Sequence, residues 1–412
     1  MSDCCATDGL MRLEAALTTL INGVKPVSET EKVSLEACLG RILAERIVSP
    51  VNVPPHDNSA MDGYAMALKD LQHNDTLPLA GQSLAGHPFA GEIPAGHCIR
   101  IMTGACIPAG ADSVIMQEQT ETTDQGIRFL QKPEKPGNNI RQAGEDIPEG
   151  SLVFTSGRKI LPQDIGLLAS LGIANVPVYR KVKVAVFSTG DELKLPGESL
   201  GQGDIYDSNR FVIKAMLSKM EIDIIDLGKI PDDKALLKQA FTRADNEADA
   251  VISSGGVSVG DADYTKEILD ELGETGFWKL AIKPGKPFAF GQLPNSVFFG
   301  LPGNPVSATV TFQQLAAPAL RHMMNQQPEE HVELTLATET RLKKRPGRRD
   351  FQRGKLVYST SGELQVTSTG SQGSGVLSTM SHSDCYIVLA EEDSDKECGD
   401  QVKVQLFDEL LK

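Results

Sequence analysis

Lys181-Val182-Lys183-Val184-Ala185-Val186-Phe187-Ser188-Thr189-Gly190-Asp191-Glu192 is an apolar run of strand length that stops at a polar, glycine-bearing turn. Valine at 182, 184 and 186 suits a pleated, buried strand. The pattern then repeats: a helix from Ser208 to Met220, a strand over 222–227, a helix from Asp233, a strand over 248–254 and a helix over 265–272. Alternation of this kind predicts right-handed βαβ units and a parallel sheet. Strands over 277–282, 287–293 and 296–301 and a helix from Ser307 to Met323 complete an α/β unit at 181–327.

On either side of this unit the texture changes. Leu10, Leu13, Ala16, Leu17, Leu20 and Ile21 have the spacing of one apolar helix face. From about residue 51 to 146, short apolar runs punctuated by Pro and Gly predict a small β domain with no helix. A helical stretch from Pro162 to Leu171 follows, and it is expected to pack back on the first helix, making one discontinuous domain of 1–50 and 147–180. The tail, 328–412, reverts to short strands split by Gly, Asp and Ser turns and predicts a second β module. The expected architecture is therefore multidomain α/β plus β. At 412 residues several hydrophobic cores are expected.

Composition narrows the function classes. With 40 Lys+Arg against 55 Asp+Glu, the net charge is −15, which argues against a polyanionic nucleic-acid partner. No stretch of 18 uncharged apolar residues occurs, and the opening residues MSDCCATDGL carry neither a basic nor an apolar leader region, so a cytoplasmic protein without membrane contact is expected. Seven cysteines without CxxC spacing suggest neither a disulfide framework nor a thiolate zinc site.

In an open parallel sheet, ligands bind outside the carboxyl ends of the strands, so the loops after each strand are the place to seek chemistry. Four of them are polar and glycine-bearing: Ser188 to Glu192, Gly228 to Asp233, Gly255 to Asp263, and Pro302-Gly303-Asn304-Pro305. The stretch Ser253 to Gly260, with Gly255, Gly256 and Ser258, lies between a buried strand and a helix and suits a phosphate, although a plain strand-to-helix turn would read the same way. Asp263 at its lip, with Asp232 nearby, has the chemistry to hold Mg²⁺ beside substrate phosphates. The competing reading for Asp232, Asp233 and Asp263 is capping of the helices that follow. Lys283 and Lys286 sit on a proline-stiffened turn suited to an oxyanion. The basic run Arg341 to Arg353 reads for the most part as solvated charge.

Several strings occur together in one order: Asp57-Asn58-Ser59-Ala60-Met61-Asp62-Gly63-Tyr64-Ala65; Arg100-Ile101-Met102-Thr103-Gly104-Ala105; Arg141 with Gly144-Glu145-Asp146; Ser188 to Glu192; Ser253 to Asp261; Lys283 to Pro287; and Gly300 to Ser307. From about residue 8 to the last strand the chain resembles the molybdopterin molybdenumtransferases, the MoeA and gephyrin E-domain family. His56 is a mild departure from it. The resemblance implies a homodimer of four-domain subunits with a helical dimerisation domain, an inserted β domain, the α/β domain and a C-terminal β-barrel-like domain. It implies insertion of molybdate into adenylyl-molybdopterin with Mg²⁺-dependent release of AMP, and transient contact with the molybdopterin adenylyltransferase that makes the substrate.

By the same resemblance the site lies between the α/β domain of one subunit and the β domain of the other. The residues it implies are Asp62, Thr103, Arg141 and Asp146 from the β domain, and Glu192, Asp232 and Asp263 as metal and substrate carboxylates. For molybdate and pterin it implies the phosphate loop with Ser253, Gly255, Gly256, Ser258 and Gly260, together with Lys279, Lys283, Lys286, Pro302, Pro305, Ser307, Arg353 and Ser374. Two alternatives stand beside this reading. A molybdopterin adenylyltransferase would use a related α/β domain, but with a GGTG-like loop where this chain has Gly255-Gly256-Val257-Ser258. A non-catalytic scaffold that binds a peptide would not need Asp62, Asp232, Asp263 and the lysine turn.

Overall fold

The computed structural model describes residues 9–256, 264–328 and 332–412. At its centre is a six-stranded sheet in the spatial order Asp223–Ile230, Lys183–Thr189, Ala250–Ser254, Val297–Leu301, Pro287–Gln292 and Glu274–Lys279. The first four strands are parallel. The last two pairings are antiparallel, because Pro287–Gln292 runs opposite to both its neighbours. The connections dictate this, since only residues 280–286 and 293–296 link these strands, and a parallel crossover needs about a dozen residues or more. The parallel sheet read from the sequence thus carries an antiparallel edge.

Alternate residues of the central strands enter two cores. Val184, Val186, Ile252 and Phe299 face one, under the helices Asn209–Lys219 and Ala317–Met323. Ala185, Phe187, Val251 and Phe298 face the other, under Lys234–Glu247 and Tyr264–Leu272. Burial on both faces explains why these strands read as continuous apolar runs.

The helix Leu13–Gly23 forms as its spacing predicts, but it buries Leu13, Ala16 and Leu20 in the first of these cores rather than against Pro162–Ser170. Its apolar face joins the cluster that contains Leu315 and Leu320 of the α/β unit. The discontinuous unit has its own core, in which Cys38, Leu43 and Ile47 meet Phe154, Ile160, Leu168, Val176 and Val178. Strand pairs stitch its two segments together: Thr30–Ser34 with Asn175–Tyr179, and Ile47–Val48 with Leu152–Phe154.

Between those segments lies the inserted β domain, built on a four-stranded sheet in the order Leu79–Ser83, Cys98–Ile101, Gly63–Met66, Ser113–Met116. Its only helical turns among the described residues are the 3₁₀ turns Leu68–Leu71 and Gln117–Gln119. Beyond the α/β unit, Glu333–Thr338, Arg349–Tyr358, Leu364–Ser368, Cys385–Leu389 and Gln401–Leu406 close into a five-stranded barrel, because Arg349–Tyr358 pairs with both Leu364–Ser368 and Cys385–Leu389. The barrel docks through Tyr386, packed edge-on to Phe351 and Phe407, whose hydroxyl donates to Gln313 Oε1 at 2.5 Å. Gln313 lies in a π-helical turn, Phe312–Ala316, within the long helix that ends the α/β unit. No helix among the described residues is long and apolar enough to cross a membrane.

The basic run at 341–353 is solvated only in part: Arg341, Lys343 and Arg345 are exposed, whereas Lys344 and Arg353 are buried and Arg349 pairs with Glu14 and Glu391. The run enters a barrel strand at Arg349, and that strand is buried from Asp350 to Gly354.

Two glycines give opposite expectations. A Cβ on Gly63 would lie 2.0 Å from the Ile115 carbonyl oxygen, whereas one on Gly166, inside the helix Pro162–Ser170, meets nothing within 4 Å. Gly63→Ala is expected to destabilise by about 1–3 kcal/mol and Gly166→Ala to stabilise by about 0.5–1 kcal/mol. Chemical denaturation of both variants checks the pair.

Candidate active site

At the carboxyl ends of the parallel strands is a cavity of about 270 Å³, lined by Thr189, Glu192, Ile205, Tyr206, Asp207, Asn209, Ser254, Gly255, Gly303 and Pro305 among others. The strand end beside it requires glycine. Gly255 and Gly256 have φ of +88° and +66°; a Cβ on the first would lie 2.6 Å from the Thr189 carbonyl oxygen, and one on the second 2.5 Å from Thr265 Oγ1. The chain therefore turns sharply off the central strand, so close against Thr189 and Thr265 that no side chain fits at either position. Asn209 binds three loops into one rim: its Nδ2 donates to Ser254 Oγ at 2.8 Å and to the Gly303 carbonyl at 2.7 Å.

Under this rim lies a charged network that the sequence reading missed. Asp207, 2% exposed, accepts from Ser188 Oγ, from the Arg210 N–H and from Arg210 Nε. Arg210 Nη1 donates to both oxygens of Asp226, which also pairs with Lys214. The available signal was the polar string Asp207-Ser208-Asn209-Arg210 at a helix start, and its spacing is indistinguishable from an ordinary cap.

The acidic candidates separate. Asp233 caps the helix Lys234–Glu247 by accepting from the Leu236 N–H. Asp232 does not cap: its Oδ1 accepts from Thr189 Oγ1 at 2.5 Å, and its N–H donates to Asp191 Oδ1. Glu192 lines the cavity and lies against Gly190, where a Cβ would meet its Oε2 at 2.6 Å. Asp263, Ser258 and Gly260 lie outside the described residues. Among the described residues no cluster of three or more His, Cys, Asp and Glu side chains has the arrangement of a metal site. The donors present, Glu192 and Asp232 with hydroxyl-bearing neighbours, are hard oxygen ligands of the type that suits Mg²⁺, which keeps several waters and takes only one or two protein carboxylates.

Ser253 Oγ is buried with no hydrogen-bond partner among the described residues. Pro302 is buried beside the cavity, Pro305 lines it, and Ser307 is buried in the first turn of the helix Pro305–Thr311. The turn holding Lys279, Lys283 and Lys286 does not line the cavity; it packs on that helix, where a Cβ on Gly285 would meet Thr311 Cγ2 at 2.6 Å. Lys279 and Lys286 are exposed, whereas Lys283 Nζ donates to Asp350 Oδ2 at 3.1 Å.

Arg353 is placed otherwise than as an open anion contact. It is 1% exposed, and its guanidinium donates to Thr379 Oγ1 and to the Ser371 and Gly373 carbonyls. Burial lowers its pKa, with Tyr386 and Asp350 opposing. It thereby fixes the loop in which the Ser374 carbonyl accepts from the Val306 N–H at 3.0 Å and Gly375 lines the cavity.

In the β domain, Asp62 and Thr103 are joined: Asp62 Oδ1 accepts from the Thr103 N–H at 2.7 Å and from Thr103 Oγ1 at 2.8 Å. Those two bonds, assisted by Arg100, hold the Asp62 carboxyl below its ordinary pKa. Arg141 lies across from Asn58 in a short strand pair, and both Arg141 and Asp146 are exposed. Asn58 Oδ1 is buried without a partner among the described residues. None of the β-domain candidates lines the cavity of its own chain.

Against known proteins, three family models match successive parts of the chain: the MoeA N-terminal region (domain I and II) over residues 11–172, a probable molybdopterin binding domain over 185–322, and the MoeA C-terminal region (domain IV) over 335–407. A molybdopterin molybdenumtransferase of Haemophilus influenzae is 48% identical over 404 residues, 98% of this chain and all of that protein. One of Bacillus subtilis is 34% identical, over 92% of this chain and 90% of the relative. Among solved structures, a MoeA protein of Pyrococcus horikoshii superposes with a TM-score of 0.82 at 31% identity, over 97% of this chain and 100% of that one.

The network under the rim predicts a pH dependence. Burial alone would raise the Asp226 pKa, but Lys214, the Gly228 N–H and Arg210 outweigh it and bring the carboxyl below its ordinary 3.8. A depressed carboxylate contributes stability that is complete above its unfolded-state pKa and is lost as pH falls through the folded value. Asp226→Asn is therefore expected to lower stability near neutrality and to flatten the loss of stability below about pH 4. Urea denaturation at neutral and acid pH tests it; an unchanged acid slope would count against the network.

Proposed function

The chain belongs to the MoeA family of molybdopterin molybdenumtransferases, and from that footing we propose that it completes the molybdenum cofactor by inserting molybdate into adenylyl-molybdopterin with release of AMP. The observation that carries the reading of the site is the cavity lined by Gly255, the first of the obligate glycine pair Gly255-Gly256 at the carboxyl end of the central parallel strand. A phosphate-bearing ligand fits where backbone can be approached without an intervening side chain. Matches to the flanking regions as well as to the α/β domain favour this reading over a molybdopterin adenylyltransferase.

Chemically, two Mo–S bonds to the dithiolene replace two Mo–O bonds of molybdate, each departing oxo group taking two protons to leave as water, and one water cleaves the phosphoanhydride. Mg²⁺ held by Glu192 and Asp232, with Asp263 as the third carboxylate, would neutralise charge developing on the leaving AMP. Asp232 is oriented for its role by Thr189. Asn209 and Ser254 hold the rim against the substrate phosphates. Lys279, Lys283 and Lys286 supply positive charge for the molybdate dianion, while Arg353 acts by fixing the loop that carries Ser374. The buried cysteines take no part: burial pushes the Cys98 and Cys385 thiols up to about 12, so they stay protonated.

The test is incubation with adenylyl-molybdopterin, molybdate and Mg²⁺, followed by activation of an apo-molybdoenzyme. Asp232→Asn is expected to bind adenylyl-molybdopterin but to slow molybdate-triggered AMP release by about 10²-fold. AMP release near the parent rate would remove Asp232 from the metal site.

A homodimer with sites composed across two subunits is the accompanying proposal, for a protein acting in the cytoplasm and receiving its substrate from the adenylyltransferase. It is supported by exposed Leu39, Val48 and Leu152 on the discontinuous unit, with Val48 opposite Leu152 in register. It is supported also by the separation of Asp62, Thr103, Arg141 and Asp146 from the cavity of their own chain. Mixing subunits that carry Asp62→Asn with subunits that carry Asp232→Asn should restore activity, since half of the sites in a mixed dimer would be intact. Two inactive parents whose mixture stays inactive after subunit exchange would show that each site is built within one chain.

A further inference from the structure

Lys283 occupies the two-residue strand Ile282–Lys283, which leaves the α/β unit and pairs in parallel with the first barrel residues, Lys283 opposite Asp350. The adjacent Arg349 N–H donates to the Ala281 carbonyl at 2.8 Å. Asp350 is 2% exposed, and its Oδ2 accepts from Lys283 Nζ at 3.1 Å and from Gln352 Nε2 at 3.2 Å. Gln352 is itself fixed by the Lys343 carbonyl at 2.9 Å. The Lys283 side chain is 44% exposed, so one end of this ion pair is locked in the barrel and the other reaches solvent.

The geometry points to Asp350 as a positioning residue for the oxyanion site, acting through Lys283. This rests on the reading of Lys283 as a molybdate contact given above. A lysine side chain has about 2 kcal/mol of rotamer entropy to lose, and a small dianion offers too few contacts to order it unaided. Of the three N–H donors on an ammonium group, Asp350 takes one and leaves two for an anion.

The carboxylate acts on three cations, Lys283, Lys344 and Arg353. Lys344 is buried, with Nζ donating to the Arg345 and Arg348 carbonyls. Burial lowers its pKa and Lys283 lowers it further, while Asp350, Asp393 and Glu391 oppose both. Asp350 also stabilises the charge of Arg353. Asp350 thus offsets, together with Asp393 and Glu391, the repulsion Lys344 feels from Lys283, and it holds Lys283 across the seam between the barrel and the α/β unit.

The experiment is a double-mutant cycle in the molybdate-dependent insertion assay. Asp350→Asn is expected to raise the KM for molybdate about tenfold, the loss expected of one charge-assisted bond, with kcat changed less than about twofold and affinity for adenylyl-molybdopterin unaltered. In a Lys283→Ala background the same substitution is expected to add nothing, as residues acting through one contact are not additive. An equal rise in KM with and without Lys283, or a parallel fall in pterin affinity, overturns the inference. If Lys283→Ala shifts the molybdate KM and Asp350→Asn does not, Lys283 keeps its role and only the positioning inference is overturned. If Lys283→Ala itself leaves molybdate dependence unchanged, both are overturned. Should Asp350→Asn prevent folding, Asp350→Glu carries the same cycle, with an expected rise of about threefold.

Discussion

A strand paired along both edges and covered on both faces has only its ends left for polar chemistry, and Lys183–Thr189 is in that position. It is hydrogen-bonded to Asp223–Ile230 on one side and Ala250–Ser254 on the other, with apolar side chains packed above and below. The neighbouring parallel strands end at the same level, so Thr189, Asp232, Gly255 and Gly303 arrive together without any long-range device to gather them. The rim is then held by side chains acting between loops, Asn209 above and the Asp207–Arg210–Asp226 network below. Rigidity at the cavity is a product of the sheet, and specificity is left to what the loops carry.

How much of this was legible in sequence depended on whether a signal was local. The strand-helix alternation after Lys181 and the glycine-bearing strand ends were local, and the sheet and the cavity follow from them. The antiparallel edge was legible in principle from the lengths of 280–286 and 293–296, which are too short for crossovers. What spacing could not supply was destination. The helix Leu13–Gly23 shows its apolar face plainly, but nothing in it says which core will receive that face. Arg353 looks in sequence like any member of a basic run, and only closure of the barrel decides that it points inward toward Thr379 and the 371–373 carbonyls. Asp207 and Asn209 looked like a helix start, because capping and rim-building use the same side chains.

The seam between barrel and α/β unit joins contacts of different physical kinds. Tyr386 and Gln313 meet in a dry, aromatic environment, Arg321 pairs with Asp408, and Ile282–Lys283 adds a strand to the edge of the barrel. The barrel is otherwise closed on itself, so this short pairing is the place where its hydrogen-bonded ladder continues into another unit. Movement of the barrel as a rigid body must therefore disturb the lysine turn, and the loop fixed by Arg353 would move with it.

The way the chain leaves and re-enters the discontinuous unit has an evolutionary consequence. Ile47–Val48 pairs with Leu152–Phe154, and Val53 bridges Ile147, so the two ends of the β domain stand side by side. An element whose ends are that close can be acquired, exchanged or lost while the ancestral segments on either side still meet with the same partners. The β domain has the attachment of a cassette, free to diversify in the surface it presents while its host keeps one unchanging frame.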